Sequence, residues 1–325
     1  MRWKMARPSR LGERFNRWAL CRGFPVLLWL APRLPRWACL PGARVVISVV
    51  MLFNRRPAPA MAANLARILG ESPGSRRVRA AARQVWFNFA SYWVDQFHFS
   101  QLPRERAEAA VDRIVGEEHL RQALQRGKGV LLLTAHLGSW ELGGLFLGKL
   151  GLPLSVVYVP DEIADVEAFR SLLRRSTGVD EIPIRPREGL AALPVLRALR
   201  ENRLVALQGD RDFDDRGAPV DFFGAPAPFP RGPFLLASLT GAALVPVFIA
   251  YTSGHRFEVR LGEPLLVAGG ADREAAVREA QGRWVAVLED AVRRWPTQWY
   301  TFYDFWGESA AAAAGSPVRR RGEGR

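Results

Sequence analysis

Between residues 76 and 99, apolar side chains recur at helical spacing: Val78, Ala82, Val85, Phe89, Trp93 and Phe97. The pattern predicts a long amphipathic helix. Beyond Pro103 the period changes, and short β-like runs alternate with helical stretches. Strands are expected at 111–115, 129–135, 154–159, 179–184, 204–208 and 243–251. The run at 129–135 is wholly apolar, as in a strand buried on both faces. Residues 257–261 alternate apolar and polar and read as an edge strand. Helices are expected at 117–125, 139–149, 165–175, 189–200, 232–240 and 273–294, with Ser139 as a plausible N-cap. This alternation implies an α/β layered fold with a mostly parallel sheet flanked by helices.

The N-terminal part has a different character. Residues 1–44 hold ten Arg or Lys against one acid, Glu13, and the last ten residues hold four Arg against Glu323. Most of the formal +14 therefore sits at the two ends, and the body between them is nearly neutral. A nucleic-acid-binding domain more often carries its charge on the folded body, so nucleic acid is not expected as a partner. The apolar stretches 24–31 and 45–53 are each too short for the ~20 residues that span a bilayer, and Pro and Arg interrupt the first. Trp3, Trp18, Trp29 and Trp37 interleave with Arg10, Arg14, Arg17 and Arg22. Indoles and guanidinium groups together suit the headgroup layer. Residues 1–56 are thus expected to form a helical membrane anchor lying on the surface, residues 57–306 one catalytic domain, and residues 307–325 a disordered basic tail. The two cysteines, Cys21 and Cys39, give no disulfide framework and no metal-type spacing.

Of four histidines, His136 stands apart. It follows the apolar strand directly, in the run Thr134-Ala135-His136-Leu137-Gly138-Ser139-Trp140-Glu141. The carboxyl ends of strands in open α/β sheets face the ligand crevice. Glu141 lies five residues on, and a bend at Gly138 would let the two side chains meet. A carboxylate bonded to one imidazole nitrogen fixes the tautomer and makes the other nitrogen a better base. There is no G-x-S-x-G elbow, no H-E-x-x-H, no P-loop and no G-x-G-x-x-G. The pair by itself is compatible with a general base acting on a hydroxyl or on water, and also with a structural histidine.

The block 134–144, with its H-x4-E followed by Leu142-Gly143-Gly144, resembles the lipid A late-acyltransferase family, the lauroyl and myristoyl transferases, within the lysophospholipid and glycerol-phosphate acyltransferase superfamily. Further matches follow in order: 63–69, 184–189, 208–212, 220–224, 230–233 and 244–248. The resemblance covers about residues 55–306. It implies transfer of a fatty acyl chain from an acyl thioester, on acyl carrier protein or coenzyme A, to a hydroxyl of a lipid acceptor. Lipid A biosynthesis on the cytoplasmic face of the inner membrane is the leading expectation, with no metal or organic cofactor. By the same resemblance His136 is the base, Glu141 its orienter, and Asp210, Arg211 and Arg187 substrate-binding groups, with Arg185 competing for the place of Arg187. Phe222, Phe223, Phe229 and Phe234 are candidates for an acyl channel, or simply for core. The Gly209–Asp212 turn and the 221–224 block look at least as much like the actinobacterial phosphatidylinositol-mannoside acyltransferases. A thioesterase or lipid esterase using the same pair, and a non-catalytic basic docking protein, are the alternatives.

Overall fold

The computed structural model describes residues 33–53, 57–99, 109–144, 153–161, 163–176, 178–184, 192–213, 216–252 and 256–307. Among the described residues three helices come first: α1 (Arg36–Phe53), α2 (Pro57–Leu69) and α3 (Arg76–Phe99). Then follow β1 (Val111–Val115), α4 (Glu117–Gln125), β2 (Val130–Thr134), β3 (Leu154–Tyr158), α5 (Ala164–Ser176), β4 (Asp180–Pro183), α6 (Leu193–Arg200) and β5 (Leu204–Gln208). The chain continues through β6 (Ala218–Phe222), β7 (Ala225–Phe229), α7 (Gly232–Thr240), β8 (Ala243–Tyr251), β9 (Phe257–Leu261) and α8 (Arg273–Arg294).

Seven strands form one sheet in the order β1-β9-β8-β2-β5-β3-β4, parallel except for β8 against β9. β2 lies at its centre, and its residues Val130–Leu133 are at most 1% exposed. Both faces of that strand are covered, which is why the run carries no polar alternation. Odd residues Leu131, Leu133 and Ala135 pack toward α6, α7 and α8, while even residues Val130 and Leu132 pack toward α4 and Phe99. Helix α8 buries Val277, Ala280, Gln281, Trp284, Val285 and Leu288, a stripe at three- and four-residue spacing. Phe248 stacks on Trp284 at 5.9 Å, and burial of such an aromatic ring stabilises the fold by about 1.5–3 kcal/mol.

Two expectations are corrected here. β9 is not an edge strand. It sits between β8 and β1, and β1 and β4 form the edges. A hairpin, β6–β7, occupies a stretch where no strand was expected, because Pro219, Pro226 and Pro228 interrupt the pattern. The hairpin stands apart from the main sheet, and Phe223 and Gly224 turn it with positive φ.

A third layer joins the N- and C-terminal parts. Met61, Leu65, Val78, Val85, Trp86 and Tyr92 of α2 and α3 pack with Tyr300 and Phe302, and Ile47 and Met51 of α1 pack against them. The aromatic segment after α8 thus returns across the molecule to the end of β2, where Leu137 bridges to Trp299. Among the described residues no helix is long and apolar enough to cross a membrane. Most of the expected basic N-terminal segment and the tail after residue 307 fall outside the described residues.

Candidate active site

β2 and β5 are parallel neighbours, with Thr134 paired to Gln208. Their carboxyl ends therefore open side by side, and each runs into a short loop. From β2 the chain passes through Ala135 to His136. From β5 it passes through Gly209 to Asp210. The Gly209 amide donates to the Thr134 carbonyl at 2.8 Å, and its own carbonyl accepts Trp284 Nε1 at 3.0 Å. A Cβ at Gly209 would stand 2.7 Å from Leu133 Cδ1 and 3.1 Å from Trp284 Nε1, so a larger residue there would have to displace these packed side chains.

This closeness sets the central contact. His136 Nδ1 lies 2.8 Å from Asp210 Oδ1. Oδ2 of the same carboxylate accepts the His136 backbone N–H at 3.1 Å and Trp299 Nε1 at 3.2 Å. Asp210 is completely buried and His136 is 2% exposed. A carboxylate only accepts hydrogen bonds, so Nδ1 carries the proton and Nε2 keeps its lone pair. Burial drives the His136 pKa down, Arg211's charge drives it further, and Asp210 opposes both, leaving it at about 4. Burial pushes the Asp210 carboxyl up, but the charge and hydrogen bonds of His136 and the charge of Arg211 outweigh it, and it sits at about 2. At neutral pH the pair is a neutral imidazole held by an ionised carboxylate, the state in which Nε2 accepts a proton.

The carboxylate on Nδ1 is thus Asp210, where Glu141 was expected. Glu141 lies in a short 3-10 turn, Trp140–Leu142, and is held by Arg170, whose Nε is 3.6 Å from its Oε1. Its Oε2 is buried and accepts no hydrogen bond from the described residues. Arg170 also faces Asp161 at 3.7 Å and lies over the Trp93 ring. Arg211, 7% exposed, donates to the Tyr300 carbonyl at 2.6 Å and lies over Tyr303. Asp210, expected among substrate-binding groups, has both oxygens engaged inside the protein. Arg185 and Arg187 lie outside the described residues. Ser139 makes no side-chain cap for the turn that follows it, and its hydroxyl donates to Tyr251 Oη at 2.9 Å instead.

Trp299 and Tyr251 are site residues that sequence reasoning missed. Trp299 lies in an aromatic segment with Trp295, Tyr300, Phe302, Phe305 and Trp306, and nothing in that segment signals which indole returns to Asp210. The loop carrying His136 depends on Gly138, with φ of 64° and a position where a Cβ would collide with the Ile249 carbonyl. Gly138 N–H donates to the Gln298 carbonyl at 2.9 Å, Ser139 N–H to Ile249 at 2.8 Å, and Tyr300 N–H to His136 at 2.9 Å.

Below the pair lies an apolar cavity on the even face of β2. Thr134 and Gln208 line its upper rung, Leu132, Ala206 and Val156 the next, and Leu154 with Val179 the lower end. Trp140 and Glu141 line it near the top, and Trp140 packs against the His136 ring with centroids 5.3 Å apart. From Gln208 to the rung of Leu154 the cavity extends roughly 13 Å, at ~3.3 Å per residue along the strands. Phe222, Phe229 and Phe234 do not line it. They are completely buried in the core on the opposite face, with Phe223 packed against them, because the odd face of the sheet and the returning aromatic segment need large side chains to fill the gap. Among the described residues no cluster of His, Cys, Asp or Glu could hold a metal ion.

A base oriented by a buried carboxylate, at the sheet's carboxyl edge and above an apolar slot, suits proton removal beside a long hydrocarbon chain. Residues 13–307 match the model of the bacterial lipid A biosynthesis acyltransferases. The chain belongs to that family. It is a lipid acyltransferase. It is 27% identical over 314 residues to the phosphatidylinositol mannoside acyltransferase of Mycobacterium tuberculosis, covering 94% of this chain and 92% of that one. It is 28% identical to the phosphatidylinositol mannoside acyltransferase of Mycolicibacterium smegmatis over 75% of this chain and 77% of the other. A lipid A biosynthesis acyltransferase of Haemophilus influenzae is 27% identical over 43% of each chain.

Proposed function

We propose that this acyltransferase moves a long acyl chain from a thioester of acyl carrier protein or coenzyme A to a sugar hydroxyl of a membrane glycolipid, with His136 as general base. The observation that carries the reading is the buried 2.8 Å contact between His136 and Asp210, one rung above the apolar cavity. The acyl chain enters the cavity, which places its thioester carbonyl beside the imidazole. Nε2 takes the proton from the acceptor hydroxyl as its oxygen attacks the carbonyl carbon. The tetrahedral intermediate collapses, the C–S bond breaks, and the proton passes from the imidazolium to the departing thiolate. Asp210 stabilises the imidazolium while it exists. Glu141, on the cavity wall, acts toward the substrates, and Arg211 and Arg187 supply charge to an anionic acceptor.

The acceptor is a glycolipid of the phosphatidylinositol mannoside class. The likeness to two enzymes of that name runs over three quarters or more of the chain, against less than half for the lipid A enzyme. The enzyme works at the cytoplasmic face of the cell membrane. The outer stripe of α1 supports this: Trp37, Val45, Val46, Val49 and Leu52 are 41–77% exposed, an apolar face next to the basic N-terminal segment.

The test is transfer by the full chain from long-chain acyl-coenzyme A or acyl carrier protein to a panel of phosphatidylinositol mannoside, lipid A precursor, lysophospholipid and no acceptor, read by mass spectrometry. Acylated phosphatidylinositol mannoside is the expected product. Acylated lipid A precursor would move the acceptor to the other branch of the family. Free fatty acid formed at the same rate without acceptor would make the enzyme a thioesterase and overturn the reading. Val156→Trp, which fills the middle rung of the cavity, is expected to turn preference toward shorter-chain acyl donors by about tenfold or more in kcat/KM. An unchanged preference would place the acyl chain elsewhere.

A further inference from the structure

Strands β2 and β5 are apolar along their whole length except at the last residue of each, Thr134 and Gln208. These two residues are paired across the strands, and both line the cavity. The rungs below them on that face, Leu132 with Ala206 and Val130 with Leu204, are apolar. Among the described residues neither side chain has a hydrogen-bond partner, although each residue is only partly exposed. A half-buried hydroxyl and amide beside apolar walls are costly while unpaired. They are left available to a group that the substrate brings.

Their place in the reaction follows from the strands. His136 stands two residues beyond Thr134, and Asp210 two residues beyond Gln208. The polar rung therefore lies ~6–7 Å from the base along the strand direction, between it and the apolar rungs of Leu132, Ala206 and Val156. With an acyl chain in those apolar rungs and its thioester beside the imidazole, the carbonyl group falls at Thr134 and Gln208. As the acceptor oxygen bonds to the carbonyl carbon, the π pair of the C=O bond moves onto its oxygen while the hydroxyl proton goes to Nε2. The oxyanion re-forms the double bond as the C–S bond breaks, and the thiolate takes the proton from the imidazolium. Charge developing on that oxygen calls for N–H or O–H donors fixed around it. The backbone donors of the two neighbouring loops are committed elsewhere: the amides of His136, Leu137, Gly138, Ser139 and Gly209 bond to Asp210, Ala135, Gln298, Ile249 and Thr134. Of the other polar groups on the cavity wall, Glu141 offers only acceptors, Arg174 is held by Glu167 and Glu181, and Tyr158 stands on β3, two strands from β2. We infer that the Gln208 side-chain amide and the Thr134 hydroxyl are catalytic residues that donate to the thioester carbonyl oxygen and to the oxyanion formed from it. The inference rests on the acyl-transfer reading above and deepens it by assigning the second half of the machinery: His136 handles the proton, and the polar rung handles the charge on the carbonyl.

The test uses the full chain, the acceptor that the wild type selects from the panel above, and the long-chain acyl-coenzyme A or acyl carrier protein thioester that it uses as donor. Gln208→Met and Thr134→Val keep the side-chain volume and remove the donors. Each is expected to lose about 10–100-fold in kcat, with KM for the donor changed about threefold at most. Thr134→Ser keeps a hydroxyl and should stay within about threefold of the wild type. Two binding measurements read the carbonyl itself. A donor labelled with 13C at the thioester carbonyl, bound without acceptor, should show a C=O stretch lowered in frequency on the wild type and returned toward the free value on the double variant. The S-alkyl thioether of the same chain on the same carrier, which lacks the carbonyl, should bind wild type and variants equally. Wild-type kcat in both single variants, a C=O stretch that is the same on wild type and double variant, or a loss of thioether affinity that matches the loss in rate would overturn the role of the rung and leave the acyl-transfer reading standing. A wild type that transfers no acyl chain to any acceptor would overturn that reading, while the infrared measurement still decides the rung.

Discussion

His136→Ala is expected to lower acyl transfer by about 10²–10⁴-fold, the contribution of a positioned general base. At neutral pH the imidazole is neutral, its Nδ1–H is committed to Asp210 and its Nε2 is the atom left to accept a proton. No other described group near the cavity replaces it: Glu141 is held by Arg170, and Asp210 is enclosed by Trp299 and the His136 backbone. The fold should persist. Asp210 loses one hydrogen-bond donor and keeps two, a cost of about 1–3 kcal/mol for a partly unsatisfied buried acceptor. Initial rates with the selected acceptor, together with the thermal midpoint from circular dichroism, separate the two effects. A folded His136→Ala enzyme with wild-type rate would end the general-base assignment.

Asp210→Asn should lower the rate by a similar factor for a different reason. Three N–H groups converge on the carboxylate, two on Oδ2 and one on Oδ1. An amide offers one acceptor oxygen and one donor group. Its oxygen satisfies most by staying where two donors meet, which turns its NH2 toward Nδ1. The imidazole must then accept at Nδ1 and carry its proton on Nε2, the wrong tautomer for removing a proton from the acceptor hydroxyl. Glu141→Gln leaves the Asp210 contact intact and should cost less, about 10-fold at most in kcat. Equal losses in the two variants would return the orienting role to Glu141.

The pH profile gives a second reading of the same pair. With His136 at about 4, the acid limb of wild-type kcat/KM should fall near that value, well below the ordinary histidine range. Asp210 opposes the lowering, so in Asp210→Asn the limb of the residual activity should move lower still. Stability follows in the same direction. The unfolded chain takes up a proton on the imidazole near 6.5 and on the carboxyl near 3.8, the folded protein only near 4 and 2. Stability present above pH 6.5 is therefore lost as pH falls through these two windows.

The sheet and most of its helices were legible in the chain. The apolar run at 130–134, the stripe of α8 and the bounds of α7 and β8 follow from period and flanking glycines, which are local properties. His136 was legible too, since a polar residue directly after a fully apolar strand stands at the sheet's carboxyl edge. The hairpin β6–β7 was not, because proline inside a short strand contradicts the local pattern, and only the packing of Phe222 and Phe229 against Trp299 and Phe305 rewards it.

The partner of His136 was the harder matter. Nearness in sequence favoured Glu141, five residues away, whereas Asp210 is 74 residues away. Strand order reverses that ranking: β5 lies against β2, so two residues at the ends of neighbouring strands meet, while Glu141 is carried off by the turn at Gly138. Alternation along a chain establishes which residues are inside, what elements they form and which end of a strand bears chemistry, because these depend on neighbours a few residues apart. Which carboxylate holds the imidazole and which face of the sheet is hollow are settled only when distant segments pack. Those contacts depend on strand order and on the shape of the space between layers, and neither is encoded in any short stretch of residues.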